Sequence, residues 1–136
     1  MNEPVNALRL PDPSLVSYTH LMYVLHALSA AIGIIGSATT VVGGFIFGIP
    51  SIIAVVMNYV RRPDVRGTWL ESHFSWQLRT FWTAAFAALL VFLLSLPLFF
   101  VLVGFLTFPV GIFLVGVWII YRVLRGWLKL KDGQAV

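Results

Sequence analysis

The chain has no cysteine, and charge is scarce: nine basic and five acidic residues among 136. The missing cysteine excludes a disulfide framework, a thiolate metal site and a thiol nucleophile. Charged residues make up 10% of the chain and hydrophobic residues 60%, whereas about a quarter of an ordinary soluble domain is charged. Carboxylates are scarcest where they would matter for catalysis. From Pro13 to Val60, and again from Thr80 to Tyr121, no charged residue occurs at all. No pair of acids is therefore available inside those runs for acid–base work. A Gly-x-Ser-x-Gly elbow, a phosphate-binding glycine loop and a His-Glu-x-x-His helix are also absent. The expectation is a non-enzymatic protein that needs no cofactor and no metal.

What is present is apolar length. The mean hydropathy is +0.94, and a membrane-spanning helix needs about 20 apolar residues to cross roughly 30 Å of hydrocarbon. Each charge-free run is about twice that long, which is right for two crossings. Helices are the spanning element that satisfies its own backbone in lipid, and stretches such as Ala84–Leu94 lack the alternation of a barrel strand. The reading is an all-α integral membrane protein with four transmembrane helices in two hairpins, over about 18–38, 42–60, 78–99 and 104–124. Residues 1–17 read as a flexible lead-in without the pattern of a cleaved signal peptide. Residues 18–127 read as the transmembrane domain and 128–136 as a short polar tail.

The cations give an orientation. The N-terminal tail has one, the central loop four and the C-terminal stretch four, while the turns near Ser37–Gly44 and Phe99–Phe105 have none. Lys and Arg accumulate on the cytoplasmic side. Both termini and the central loop are expected there, with Tyr18, Tyr59, Trp69, Trp76, Trp82, Tyr121 and Trp127 as interfacial anchors. The same placement accounts for the net charge of +4 through topology and lipid headgroups, so no nucleic-acid partner is expected. The expected partners are the lipid bilayer and a second copy or a larger membrane complex. The expected location is a bacterial inner membrane.

Some polar residues fall where lipid should be. His26, Ser29, Gly33 and Ser37 share a face of helix one. His73, Gln77, Thr80, Ala84 and Ala88 share a face of helix three. Small residues at this spacing allow close helix approach, which makes Gly33, Ser37, Ala84 and Ala88 candidate packing positions. His26, Ser29, Asn58, His73 and Gln77 are the candidate polar contacts. A histidine as deep as His26 needs a partner in the bundle; Ser51 on helix two is one, and a proton relay or solute contact is the functional alternative. The segment from about Leu70 to Thr80 is expected to be helical with helix three and to set His73 and Gln77 near Asn58. Pro50 either bends helix two or marks its start near Gly48. The Gly-Phe-aliphatic triplets at Gly44 and Gly104, each followed by a proline, fit a duplication, but turn chemistry is the favoured reading, because a turn suits glycine and a first helical turn suits proline.

The order of short motifs also carries a resemblance. His26-Ala27-Leu28-Ser29 with Gly33 is followed by Pro50-Ser51-Ile52-Ile53, Tyr59 and Arg61-Arg62. Glu71-Ser72-His73 and Trp76-Gln77-Leu78-Arg79 come next. In layout, over about residues 20–125, this resembles a family of small bacterial membrane proteins of unknown function, distantly related to the Tic-type channel component of chloroplast protein import. Ser75-Trp76-Gln77 stands where many relatives carry an Asn-Phe-Gln type sequence, as in a divergent subgroup. The resemblance implies a four-helix membrane domain and no settled activity. Two functions follow as expectations: an accessory, assembly or scaffold component of a membrane complex, or a homo-oligomeric conduit or carrier for a small solute or proton.

Overall fold

The structure, a computed structural model, describes residues 9–37 and 48–136, with Ser37 described by its backbone alone. Four helices make up the described chain: α1 (Pro13–Ser37), α2 (Ile49–Arg61), α3 (Leu70–Phe99) and α4 (Gly104–Lys131). A short 3-10 turn, Arg62–Val65, follows α2.

Local chemistry sets the ends. Asp12 accepts the Ser14 backbone N–H on its carboxylate at 2.8 Å, so it caps α1, and Pro13 occupies the first helical position where no amide is needed. Pro50 does the same for α2, which starts after Gly48. The proline thus opens this helix rather than kinking it. Pro63 disfavours continued α-helix beyond Arg61, and Gly67 turns the chain in the left-handed region at φ 73°. Glu71 then reaches back to accept the Gly67 N–H at 3.0 Å. Between α3 and α4 the chain reverses in four residues, with Leu102 held at φ 63°. Gly104 follows because a Cβ there would lie 2.8 Å from the backbone of Leu98 and Phe99.

Among the described residues three helices are long and apolar enough to cross a membrane: Pro13–Gly36, Leu70–Phe99 and Gly104–Lys131. The fourth is shorter. The 13 residues of α2 span about 20 Å at 1.5 Å per residue, and residues 42–47, where the expected second span begins, lie outside the described residues. Two other expected limits need correction. The first helix starts at Pro13 rather than 18 and the fourth runs to Lys131 rather than 124, while the third starts at Leu70, so the segment expected to be helical with helix three is continuous with it. Charge marks where an apolar stretch ends, not where a helix ends. Lys129 and Lys131 sit in the last turn of α4, where cations favour the helix dipole.

Helix α1 is the centre of the packing. In its most apolar stretch 39% of the residues are buried, against 11% in α3 and in α4. It packs mainly on α4 and α2, while α3 pairs with α4 and touches α2 lightly. The buried apolar cluster joins Leu15, Met22 and Tyr23 of α1 to Ala54, Val65, Leu70, Phe74, Val123 and Leu130. All of these lie toward one end. The same end gathers Arg9, whose N–H donates to the Gly67 carbonyl at 2.9 Å, and Gln134, whose carbonyl reaches His73.

Candidate functional site

The interior of that end is polar, and Tyr23 is its hub. Tyr23 and His73 are fully buried. The His73 Nε2 faces the Gln134 carbonyl at 2.7 Å. A carbonyl only accepts, so Nε2 carries the proton. In the neutral ring Nδ1 then accepts from the Tyr23 hydroxyl, 2.9 Å away. One imidazole therefore ties α3 to α1 and to the segment after α4. The rings of Tyr23 and Trp69 close on it edge-on, with centroids 5.9 and 5.7 Å away.

Gln77 sits one turn along α3 from His73. Its Oε1 faces the Asn58 amide at 3.5 Å, and the Asn58 Nδ2 donates at 3.0 Å to the Phe74 carbonyl. Gln77 thus meets the end of α2, as expected. His73 does not: it turns to α1 and the C-terminal segment. Residues four apart on a helix differ by about 40° in direction, enough to address two neighbours. One turn deeper, the His26 Nδ1 is 3.0 Å from the Ser51 Oγ, so the expected partner on α2 is present. Ser29 is buried beside it.

Other ties use aromatic N–H and O–H groups. Tyr18 donates to the Met57 carbonyl at 3.0 Å. Trp127 donates to His20 Nδ1 at 3.0 Å, and Trp76 to the Arg122 carbonyl at 3.1 Å. The Arg122 guanidinium lies 3.8 Å from the Trp76 ring centroid while its Nε donates to the Thr80 hydroxyl at 2.8 Å. A cation is thereby held by a π-face and a hydroxyl, without a carboxylate.

Among the described residues four buried side-chain polar atoms have no hydrogen-bond partner: Arg61 Nε, which instead pairs with the Asp64 carboxylate at 3.0 Å, and His26 Nε2, Asn58 Oδ1 and Gln77 Nε2 in the interior. Among the described residues no three His, Asp or Glu side chains gather as metal ligands would.

The packing positions need one correction. Gly33 is open: a Cβ there would meet nothing within 4 Å. Its spacing from Ser29 marks a face, but that turn of α1 makes no close approach at Gly33 among the described residues. Close approach falls instead to α4. A Cβ on Gly126 would lie 2.9 Å from Tyr23 ring carbons, and one on Gly116 would lie 2.5 Å from Ile34. Ala84 is buried and Ala88 half-buried, while the Ser37 side chain lies outside the described residues. Tyr23 was also missed by the sequence reading. Its signal was available, because Thr19, Tyr23, His26 and Ala30 continue the polar stripe toward the start of α1.

Searches against protein-family models, curated proteins and solved structures find no match to this chain.

Proposed function

We propose that this chain is a multi-pass membrane protein without enzymatic activity, serving as an accessory, assembly or scaffold component of a membrane complex. The carrying observation is how its interior polar groups are spent. His73, Asn58, Tyr18, Trp76 and Trp127 all engage in bonds that join one helix or terminal segment to another. Such ties build a rigid bundle in lipid, where polar side chains act as glue between helices. The bundle surface is correspondingly apolar: Ile35, Leu94, Phe105, Leu106 and Leu114 are each more than 60% exposed. Exposed apolar area on this scale calls for lipid or another chain.

The topology we infer places both termini and the Arg62–Val65 turn in the cytoplasm of a bacterial inner membrane. It rests on the distribution of Lys and Arg and on the meeting of Arg9, Gly67 and Gln134 at one end. The resemblance to the bacterial relatives of Tic-type components is part of the same proposal. Reporter fusions after Asp64 and Lys131 are expected to read cytoplasmic, and one at Thr39–Thr40 external.

A conduit for protons or a small solute is the second reading. It is favoured by the three unpartnered buried atoms on His26, Asn58 and Gln77. Liposomes carrying the purified protein and an internal pH dye separate the two. A scaffold leaves proton leak at the level of empty liposomes and retains a stoichiometric partner when tagged and extracted. A proton flux that vanishes in His26→Leu overturns the scaffold reading.

A further inference from the structure

A cleft of about 430 Å³ opens between the end of α2 and the first half of α3. Its walls carry Tyr59, Arg62, Ser75, Arg79, Trp82 and Thr83. The nearby carboxylates are already engaged. Asp64 pairs with Arg61 at 3.0 Å, and Glu71 accepts the Gly67 N–H. Arg62 and Arg79 have no hydrogen bond or ion pair among the described residues. Trp82 Nε1 donates to the Tyr59 oxygen at 3.2 Å, which leaves the Tyr59 O–H free to donate. The cleft thus offers two guanidinium forks and three hydroxyls, with no acid among its described lining residues. That donor set matches a phosphate diester, which guanidinium groups grip through paired N–H bonds.

What runs away from the cleft decides the source of that phosphate. On α2, Tyr59 is followed by Val56 and Ile52 along one face, and all three are about half exposed. On α3, Trp82 is followed by Phe86, Leu89 and Leu93, also each at least half exposed. The two helices run in opposite directions through the bundle, so both apolar ribs descend from the cleft toward the far end. Because α2 touches α3 only lightly, the two ribs leave a gap in which a lipid's chains could lie. A free phosphate has no use for such walls, whereas acyl chains do.

We propose that this cleft is a binding site for an anionic phospholipid, with its phosphate between Arg62 and Arg79 and its acyl chains along the α2–α3 gap. The proposal rests on the membrane reading above. Tyr59 and Trp82 stand at headgroup height, where amphipathic rings anchor. A basic pocket between helices then converts general attraction for anionic lipid into a defined site.

The test uses the full chain purified in a neutral detergent, with bound lipid counted by native mass spectrometry. The probes are phosphatidylglycerol, phosphatidylcholine and glycerol 3-phosphate. Phosphatidylglycerol is expected to bind about tenfold more tightly than phosphatidylcholine. Arg62→Gln/Arg79→Gln should remove that preference, while Arg66→Gln/Lys131→Gln, which deletes equal charge elsewhere, should change it less than about twofold. Equal loss in both double variants, or no preference in the wild type, overturns the site. Glycerol 3-phosphate binding as tightly as phosphatidylglycerol overturns the lipid in favour of a soluble phosphate. The wild-type comparison stands even if a variant does not fold. Alkaline carbonate extraction distinguishes the two layers of the argument. A chain that stays in the pellet without lipid preference loses only this site, and a chain released to the supernatant loses the membrane reading as well.

Discussion

At the end of the bundle that gathers Arg9, the Arg62–Val65 turn and Gln134, the helices are joined by hydrogen bonds between specified atoms. Tyr23 reaches His73 on α3, Tyr18 reaches the Met57 carbonyl on α2, and Trp76 reaches the Arg122 carbonyl on α4. At the opposite end α3 and α4 meet through phenylalanine rings: Phe99 on Phe105 at 5.0 Å between centroids, and Phe92 on Phe108 at 6.2 Å. The hydroxyls of Thr107 and Ser95, 3.3 Å apart, add a polar contact between the two helices there. On the membrane reading proposed above, the difference follows from the solvent: lipid tails are as apolar as leucine, so apolar contacts between helices gain little over contact with lipid. Directional bonds specify which helix faces which, and among the described residues those between α3 and its neighbours gather at the first of these ends. The ring-packed end sets proximity without setting register as tightly.

Truncating each end's central ring is the strongest way to break this comparison. Tyr23 is fully buried, and its loss removes both packing volume and the His73 bond. Tyr23→Ala is expected to cost about 3 kcal/mol or more. Phe99→Ala, at a half-buried site that lipid can refill, is expected to cost about 1 kcal/mol. Unfolding in mixed micelles of graded denaturing detergent measures both. Equal costs would show that the two ends are held alike.

A smaller effect tests where the helices approach each other. Gly126→Ala places a methyl 2.9 Å from the Tyr23 ring, and Tyr23 has no free space to yield. The expected loss is about 1–3 kcal/mol. Gly33→Ala meets nothing within 4 Å, and a mid-helix glycine is a poor helix former. It should be neutral or more stable by up to about 1 kcal/mol. Spacing alone argues for the reverse at Gly33, so melting temperatures of the two variants decide between spacing and geometry.

That reversal marks what the chain's pattern can convey. The number of helices was legible because the charge-free runs, the cation-free turn at Phe99–Phe105 and the loop at Arg61–Gly67 punctuate the sequence plainly. The link between His26 and Ser51 was legible as well, because a deep histidine must find a polar neighbour and few exist. The start of α1 and the end of α4 were not, since Asp12 with Pro13 caps α1 outside the apolar stretch and the last turn of α4 carries Lys129 and Lys131. The hub at Tyr23 was legible only as a position on the stripe of Thr19, His26 and Ala30, because a stripe does not show which helix it meets. The acceptor for His73 could not be read at all: it is a backbone carbonyl at Gln134, and backbone atoms carry no sequence signal. The cleft at Arg62 and Arg79 is hidden in the same way, because these cations read as topology markers until α2 and α3 are set beside each other.

The smallest expected effect concerns the first turn of α1, at the tied end but exposed to water. The hydrogen bond from the Ser14 backbone N–H, with a further one from the Ser14 hydroxyl and the charge of Arg61, holds the Asp12 carboxyl below its ordinary value. A carboxyl whose folded value is depressed contributes stability that is fully present above its unfolded value, near pH 4, and fades as pH falls through the folded value. Protonation weakens the acceptor for Ser14 and removes a negative charge from a helix N-terminus. Amide exchange at Ser14, Leu15 and Val16, corrected for the intrinsic rate, should therefore become less protected from about pH 4 downward, with the interior of α1 unchanged. Asp12→Asn keeps a cap acceptor and cannot titrate, so its protection should be flat over that range. A pH dependence that persists in Asp12→Asn would move the effect to another group. A flat profile in the wild type would show that water, rather than the carboxylate, caps this turn and that the tied end's bonds begin at Tyr18.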